Sequence, residues 1–168
     1  EFRLRGHEGR RIVVRATGVR VDAHGAPAVL SIFVDDTERK KAEDAVRRSE
    51  AMLSHLVATS PDVITLTDLQ TGRYAMVNKT FERHTGYSAA EVVGRTSTEL
   101  GLWRDAQDRE RFVAAIRDQG QVQDMPTEFA TKSGATLSMR VSGARFAMDR
   151  REYLVINARD VSDSERDR

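Results

Sequence analysis

The sequence predicts an α+β fold: a five-stranded antiparallel sheet with short helices on one face, preceded by an extra three-stranded meander and a linker helix. Three observations lead to this. A three-strand pattern occurs twice, a region with strand and helix signals precedes only its second copy, and a charged stretch separates the two copies. Alternating, β-branched segments between turns favour strands, whereas apolar residues three and four apart favour helices.

Composition and charge exclude several classes of partner. Of the 168 residues, 39% are hydrophobic and 32% are charged, which is typical of a globular protein with a large solvated surface. The net charge is +1, and the arginines of the first strands alternate as on a solvent-facing side, so we expect no nucleic-acid partner. No apolar run approaches the roughly 20 residues of a membrane helix. We expect a cytoplasmic protein and no membrane contact by this fragment.

The two copies of the pattern lie 125 residues apart, counted from Gly9 to Gly134. Each copy reads as three antiparallel strands joined by turns. The predicted strands are residues 1–5, 10–21 and 28–34 in the first copy, and 127–132, 135–147 and 153–159 in the second. The same offset aligns Asp35 with Asp160 and Thr37 with Ser162. Glu1-Phe2 aligns with Glu128-Phe129 if the turn at 6–9 holds two residues more than its counterpart.

Residues 62–120 carry the signals of two strands followed by short helices. Segments 62–68 and 73–78 flank a turn and predict a strand pair. Helix start and stop signals follow: Asn78 to Gly86, Ser88 with Glu91 as a capping box, and Arg104 to Gly120. The predicted order is two strands, four short helices and the three strands of the second copy.

Residues 37–59 predict one helix, because they contain no glycine or proline and many good helix formers. Its seam positions are spaced by four, three, four and three residues, as in a coiled coil: Ala42, Val46, Ser49, Leu53 and Leu56. The pattern fits two interpretations, a dimerising helix and an amphipathic helix that lies on its own domain.

Residues 60–163 resemble the PAS (sensory box) domain. The resemblance rests on short motifs in a fixed order: Val77-Asn78, Phe81, Thr85–Ser88, the Glu-x-x-Gly-Arg of Glu91–Arg95, and the Asp160–Ser162 exit. Residues 1–36 resemble the last three strands of a truncated upstream PAS domain, with 37–59 as linker helix and 164–168 as the start of an output linker. The resemblance implies a bacterial multi-domain signalling protein with a histidine kinase or diguanylate cyclase output.

A polar segment ends each apolar third strand, at Asp35 and Thr37 and again at Asp160 and Ser162. Thr37 and Ser162 are expected to cap the free amides of a helix start, and Glu165 would complete a capping box with Ser162. The two aspartates add negative charge near a helix N-terminus. The resemblance implies that these hinges transmit conformational change, and plain helix capping is the alternative.

The resemblance also implies a pocket between the sheet and the helices. Its candidate lining residues are Met76, Trp103, Phe112, Met139 and Asn157. Core packing is the alternative for the apolar four, and the solvent-facing side of the strand is the alternative for Asn157.

The cofactor is left unknown. Flavin-binding, light-sensing PAS domains need an Asn-Cys-Arg motif, and this chain has no cysteine. Haem-binding members often carry a histidine on the long helix before the third strand, and Arg104–Gly120 has none, so haem is not expected. His84 is expected to be a half-exposed helix residue. No catalytic motif or metal-ligand spacing occurs, so we expect no enzyme in this fragment.

We expect a signal-sensing, signal-transmitting module that regulates an output domain, forms a homodimer through the linker helix and binds a small-molecule ligand. The alternative is a ligand-free dimerisation or scaffold module. The orphan strands of 1–36 are expected to pack on the linker helix or on a second chain, or to be poorly ordered.

Overall fold

A computed structural model describes residues 2–5 and 9–162. The chain forms two compact units, the first ending at Leu53 and the second beginning at Ser54. The predicted α+β fold is confirmed: a three-stranded and a five-stranded antiparallel sheet, with helices. Part of the predicted turn at 6–9, the predicted capping partner Glu165 and the segment 164–168 lie outside the described residues.

The first unit contains a meander of three antiparallel strands, in the order β1-β2-β3. Its elements are β1 (Phe2–Arg5), β2 (Arg11–Ala23), β3 (Ala26–Asp35) and the start of helix α1 (Thr37–Thr59). Helix α1 has the bounds that the sequence predicts. Its last turn, from Ser54, belongs to the second unit.

The second unit is built on a sheet with the strand order β5-β4-β8-β7-β6, in which every neighbouring pair is antiparallel. Three helices separate the first strand pair from the last three strands. The elements are β4 (Val63–Asp68), β5 (Tyr74–Val77), α2 (Lys79–Thr85), α3 (Ala89–Val92), α4 (Ala106–Gln119), β6 (Gln121–Ala130), β7 (Thr136–Met148) and β8 (Arg151–Asp160).

Helix α2 is capped as predicted, with Asn78 at its start and Gly86, at φ 78°, at its end. Helix α4 begins later than Arg104, because the Asp105 carboxylate accepts the Gln107 amide at 2.8 Å and so caps the first turn. The expectation of four helices is wrong, since the described chain between α3 and α4 forms turns.

Strand β6 begins at Gln121, six residues earlier than predicted. Gly120, at φ 80°, ends α4 and turns the chain directly into the strand. A bulge between Val122 and Met125, with Asp124 at φ 53°, interrupts the alternation on which the prediction depended.

The hydrophobic core of the second unit lies between the helices and one face of the sheet. Alternate residues of β8 are buried, Leu154 at 4% exposure and Ala158 at 0%, while Asn157 between them is exposed. Phe81 of α2 and Phe112 of α4 are fully buried against this face.

Candidate functional site

At the end of β3, three hydrogen bonds fix the chain as it enters α1. The Asp36 amide donates to the Val13 carbonyl at 2.8 Å, and the Val13 amide donates to Thr37 Oγ1 at 2.9 Å. The Thr37 amide donates to Asp35 Oδ1 at 3.0 Å. We call residues Asp35–Thr37 the upstream exit.

At the end of β8, the same three bonds recur 125 residues later. The Val161 amide donates to the Ser138 carbonyl at 2.9 Å, and the Ser138 amide donates to Ser162 Oγ at 3.1 Å. The Ser162 amide donates to Asp160 Oδ1 at 2.9 Å. We call residues Asp160–Ser162 the downstream exit. The sequence repeat is therefore matched bond for bond at the two exits.

The hydroxyl groups at the exits differ in role from the expected helix caps. Thr37 and Ser162 accept from the amide of the middle strand of their meander, Val13 or Ser138, so each hydroxyl ties the exit to the sheet. The amide of Thr37 at the start of α1 is instead satisfied by Asp35. In each exit the hydroxyl thus ties the chain to the sheet, and the aspartate fixes the turn by accepting an amide within the exit.

Asp160 makes one further bond that the sequence did not indicate. His84 Nδ1, on α2, lies 3.0 Å from Asp160 Oδ2, and both side chains are partly buried. Burial raises the pKa of Asp160, but the hydrogen bonds from Ser162 and His84 outweigh it, so the pKa lies below its usual value. Since 76 positions separate the two residues, no local sequence signal predicts the pair.

The other end of α2 is bonded to the last turn of α1. Asn78 is 4% exposed, and its side chain amide donates to the carbonyls of Val57, at 3.1 Å, and Asp62, at 3.0 Å. Its Oδ1 accepts the amides of Ile64 and Phe81, each at 3.0 Å. Asn78 is therefore not only the predicted N-cap but also a fully bonded junction between α1, β4 and α2.

A cleft of about 220 Å³ opens between α4, the β4–β5 turn and the inner face of the sheet. Its apolar wall includes Leu69, Trp103, Phe112, Val113, Leu154 and Ile156. The Trp103 ring lies 5.6 Å from that of Phe112. Such a wall suits the apolar part of a small organic molecule.

Three polar side chains form a group within the cleft. Arg109 Nε donates to Ser97 Oγ at 3.0 Å, and Tyr74 is 5% exposed beside them. Burial raises the pKa of Tyr74, against the opposing effects of Arg109 and Ser97, so its phenol is neutral. The group can donate hydrogen bonds to a ligand that enters from the side of α4.

Two of the five predicted pocket residues, Trp103 and Phe112, line this cleft. Met139 is 1% exposed in the core and is not among the lining residues. Met76 pairs with Leu66, and Asn157 pairs with Ile64, which places both on the outer face of the sheet. No histidine or methionine appears among the described lining residues, and a haem iron usually takes such an axial ligand.

The predicted seam of α1 is exposed along its length. Val46 is 58% exposed, Leu53 61% and Leu56 55%, and Ala42 and Ser49 are exposed as well. Apolar side chains this exposed on a long helix are suited to contact with another surface.

The first-unit sheet also has an uncovered apolar face. At the 125-residue offset, Val29 and Phe33 correspond to Leu154 and Ala158. The two later residues are buried, whereas Val29 is 68% exposed and Phe33 is 65% exposed.

Two tests for other kinds of site were negative. Among the described residues, no group of three or more His, Cys, Asp or Glu side chains is placed to hold a metal ion. No helix in the described part of the chain is long and apolar enough to cross a bilayer.

Comparison with known proteins gives a consistent result. Residues 61–163 match the PAS domain family. Sensor protein FixL of Bradyrhizobium diazoefficiens is 29% identical over 118 residues, which cover 69% of this chain and 23% of FixL, so the chain spans about a quarter of that relative's length.

Solved structures show the same fold. The PAS domain of an HTR-like protein from Haloarcula marismortui is 25% identical, with a TM-score of 0.61, and the match covers 72% of this chain and 98% of that one. An RNA-binding Light-Oxygen-Voltage receptor is 20% identical, with a TM-score of 0.61, and the match covers 93% of this chain and 42% of that one.

Proposed function

Because the chain belongs to the PAS domain family, we propose that it is a signal-sensing and signal-transmitting module that regulates an output domain of the histidine kinase or diguanylate cyclase class. A small molecule in the cleft supplies one signal, and α1 delivers another from the preceding domain. The downstream exit, Asp160–Ser162, carries the response into the chain that follows.

The observation that carries this proposal is the bonding of helix α2 at both of its ends. Asn78 binds the Val57 carbonyl in the last turn of α1, and His84 binds Asp160 at the end of β8. The helix is only seven residues long, about 10 Å, and its backbone bonds make it stiff. A shift at the end of α1 therefore moves Asp160. Coupling between two sites in such devices is typically about 1–3 kcal/mol.

We propose further that residues 1–36 are the last three strands of an upstream PAS domain, and that 37–59 link it to the complete domain at 60–163. The repeated exit bonds support this, because they require the same strand register in both meanders. The first half of the upstream domain would then cover the bare face at Val29 and Phe33, as α2 and α4 cover the equivalent face of the second unit.

The second candidate function is a ligand-free dimerisation module, and the exposed seam of α1 favours it. Parallel pairing of two α1 helices would bury Val46, Leu53 and Leu56 against their counterparts. Native mass spectrometry of the purified protein distinguishes the candidates: a bound small molecule supports the sensor, and an apo dimer supports the scaffold.

The transmission proposal is tested in the full-length protein with two substitutions on α2. His84→Ala removes the bond to Asp160 and is expected to change the basal output activity and its response. Lys79→Ala is the matched control, because among the described residues Lys79 pairs with Glu82 of the same helix, at 2.7 Å. Equal output from both variants and the wild type would refute transmission through α2. Unfolding curves of the 168-residue chain establish that the variants are folded.

A further inference from the structure

A second cleft of about 240 Å³, lined mainly by arginines, adjoins the cleft beside Trp103 and Phe112, which we call the sensory cleft after its proposed role. The two share Leu69, Gln70 and Arg117 as a common wall. Beyond that wall the second cleft is lined by Arg145, Arg150, Arg151 and Glu152. Four arginine side chains therefore line the second cleft, and one of them, Arg117, lines both clefts.

Little of this positive charge is held in close ion pairs among the described residues. Glu152 lies 3.9 Å from Arg145, whereas Arg117, Arg150 and Arg151 form no ion pair within 4 Å among the described residues. Asp68, on the side of the first cleft, accepts the amides of Gln70 and Thr71 at 2.8 and 3.0 Å. These hydrogen bonds, and to a smaller extent the charge of Arg151, lower the pKa of Asp68, so Arg151 is partly balanced by this carboxylate. Unpaired arginines around a concave surface favour the binding of an anion.

The backbone at Arg150 gives independent support. Asp149 and Arg150 form the β7–β8 turn with φ values of 50° and 63°, a left-handed geometry that normally selects glycine or asparagine. At the 125-residue offset, the β2–β3 turn has His24 and Gly25, at φ 55° and 79°. The upstream turn thus has glycine where the downstream turn has arginine. A non-glycine residue in this strained geometry that lines a cleft points to a role in that cleft.

We propose that the two clefts together bind one organic anion, with its apolar, ring-sized body beside Trp103 and Phe112 and its phosphate or carboxylate among Arg117, Arg150 and Arg151. This inference rests on the proposed sensory role of the first cleft. An apolar cavity of about 150 Å³ holds a benzene ring, so a cleft of about 220 Å³ admits a body of one or two rings. The charged group then lies in the second cleft, among the arginines that line it.

The test uses three probes that share one aromatic body: 1-naphthyl phosphate, 1-naphthoate and uncharged 1-naphthol. Isothermal titration calorimetry gives the dissociation constants. Trp103, the only tryptophan in the chain, reports binding in the first cleft by its fluorescence. We expect at least one anion to bind about tenfold more tightly than 1-naphthol, which corresponds to about 1.4 kcal/mol. Tighter binding of both anions than of 1-naphthol indicates a general anion site. Tighter binding of 1-naphthyl phosphate alone indicates that the natural ligand is phosphorylated.

Two variants separate anion binding from folding. Arg150→Gly is expected to raise the thermal midpoint by a few degrees, because glycine suits the turn, and to weaken anion binding about tenfold. Arg117→Gln is expected to weaken anion binding similarly. The control is Arg20→Gln, at the position in the first unit that corresponds to Arg145, and it should change neither anion nor naphthol binding.

The anion site is refuted if the three probes bind with equal affinity. It is also refuted if anion affinity is unchanged in Arg150→Gly and Arg117→Gln. Neither outcome refutes ligand binding in the sensory cleft. If no probe binds and Trp103 does not respond, both the anion site and the sensory role of the cleft are refuted. The regulation experiment on His84 remains a separate test of transmission through α2.

Discussion

Gly143→Ala is predicted to destabilise the second unit by overpacking its core. Gly143 lies on β7, and a β carbon there would lie 2.6 Å from Phe112 Cζ and 3.3 Å from Leu154 Cδ1. A separation of 2.6 Å is well below carbon–carbon contact distance, and Phe112 is fully buried, so its ring must move. The open direction for that movement is the sensory cleft, which Phe112 lines.

The expected loss of unfolding free energy follows from two opposing effects. Overpacking a well-packed core costs about 1–3 kcal/mol. Replacing glycine restricts the unfolded chain and returns about 0.4–1 kcal/mol. The net prediction is a loss of about 1–2 kcal/mol. Gly18→Ala is the matched control, because Gly18 holds the equivalent position on β2. Its nearest neighbour would be Val29 Cγ1 at 3.3 Å, an exposed side chain that is free to rotate.

Urea unfolding followed by Trp103 fluorescence measures the second unit, and far-ultraviolet circular dichroism follows both units. In the Phe112→Leu background the ring is absent, so Gly143→Ala should cost less, with a coupling energy of about 0.5–3 kcal/mol. An unchanged or raised free energy of unfolding in Gly143→Ala would refute the reasoning. The same cost with and without the Phe112 ring would show that this contact is not its cause.

Three further predictions concern the exits and the linker helix. Asp160→Asn should flatten the fall in unfolding free energy below about pH 4, because the folded-state pKa of Asp160 is depressed. The carboxylate stabilises the fold fully above its unfolded pKa, and that stabilisation is lost as the pH falls through the lower folded-state pKa. Parallel pH profiles for the variant and wild type would contradict this. Ser162→Ala should speed hydrogen exchange of the Ser138 amide about fivefold, measured by nuclear magnetic resonance, since one hydrogen bond contributes about 1 kcal/mol. Leu53→Asp should shift a dimer towards monomer in analytical ultracentrifugation, because it places a charge in the apolar seam of α1. Ala51→Asp, on the opposite side of α1, should have no such effect. Equal effects of the two substitutions would argue against dimerisation through the seam.

Helices α1 and α2 could be predicted because the sequence signals that start and end them are local. The bounds of α1 follow from a stretch without glycine or proline, and α2 follows from Asn78 and Gly86. Strand β6 was predicted too short because the bulge at Asp124 breaks the alternation of its first residues. At the site, Trp103 and Phe112 were predicted, but Arg150 was not, because only the folded turn shows that it lies beside Arg117.

Some bonds of the exits occur in both units, and one bond occurs only in the complete domain of the second unit. The upstream exit makes the same three bonds, two to the middle strand and one within the exit, and no described residue from a helix like α2 contacts Asp35. Those three bonds therefore need only the three strands. The bond from His84 is additional and reaches the exit from α2, which the Asn78 bonds also connect to α1. Under the proposed function, a displacement of α2 relative to the sheet reaches Asp160 through His84, while the three exit bonds keep the exit in register. Loss of His84 should therefore alter regulation with little effect on the Ser138 amide, whereas loss of Ser162 should free that amide and leave the His84 bond in place.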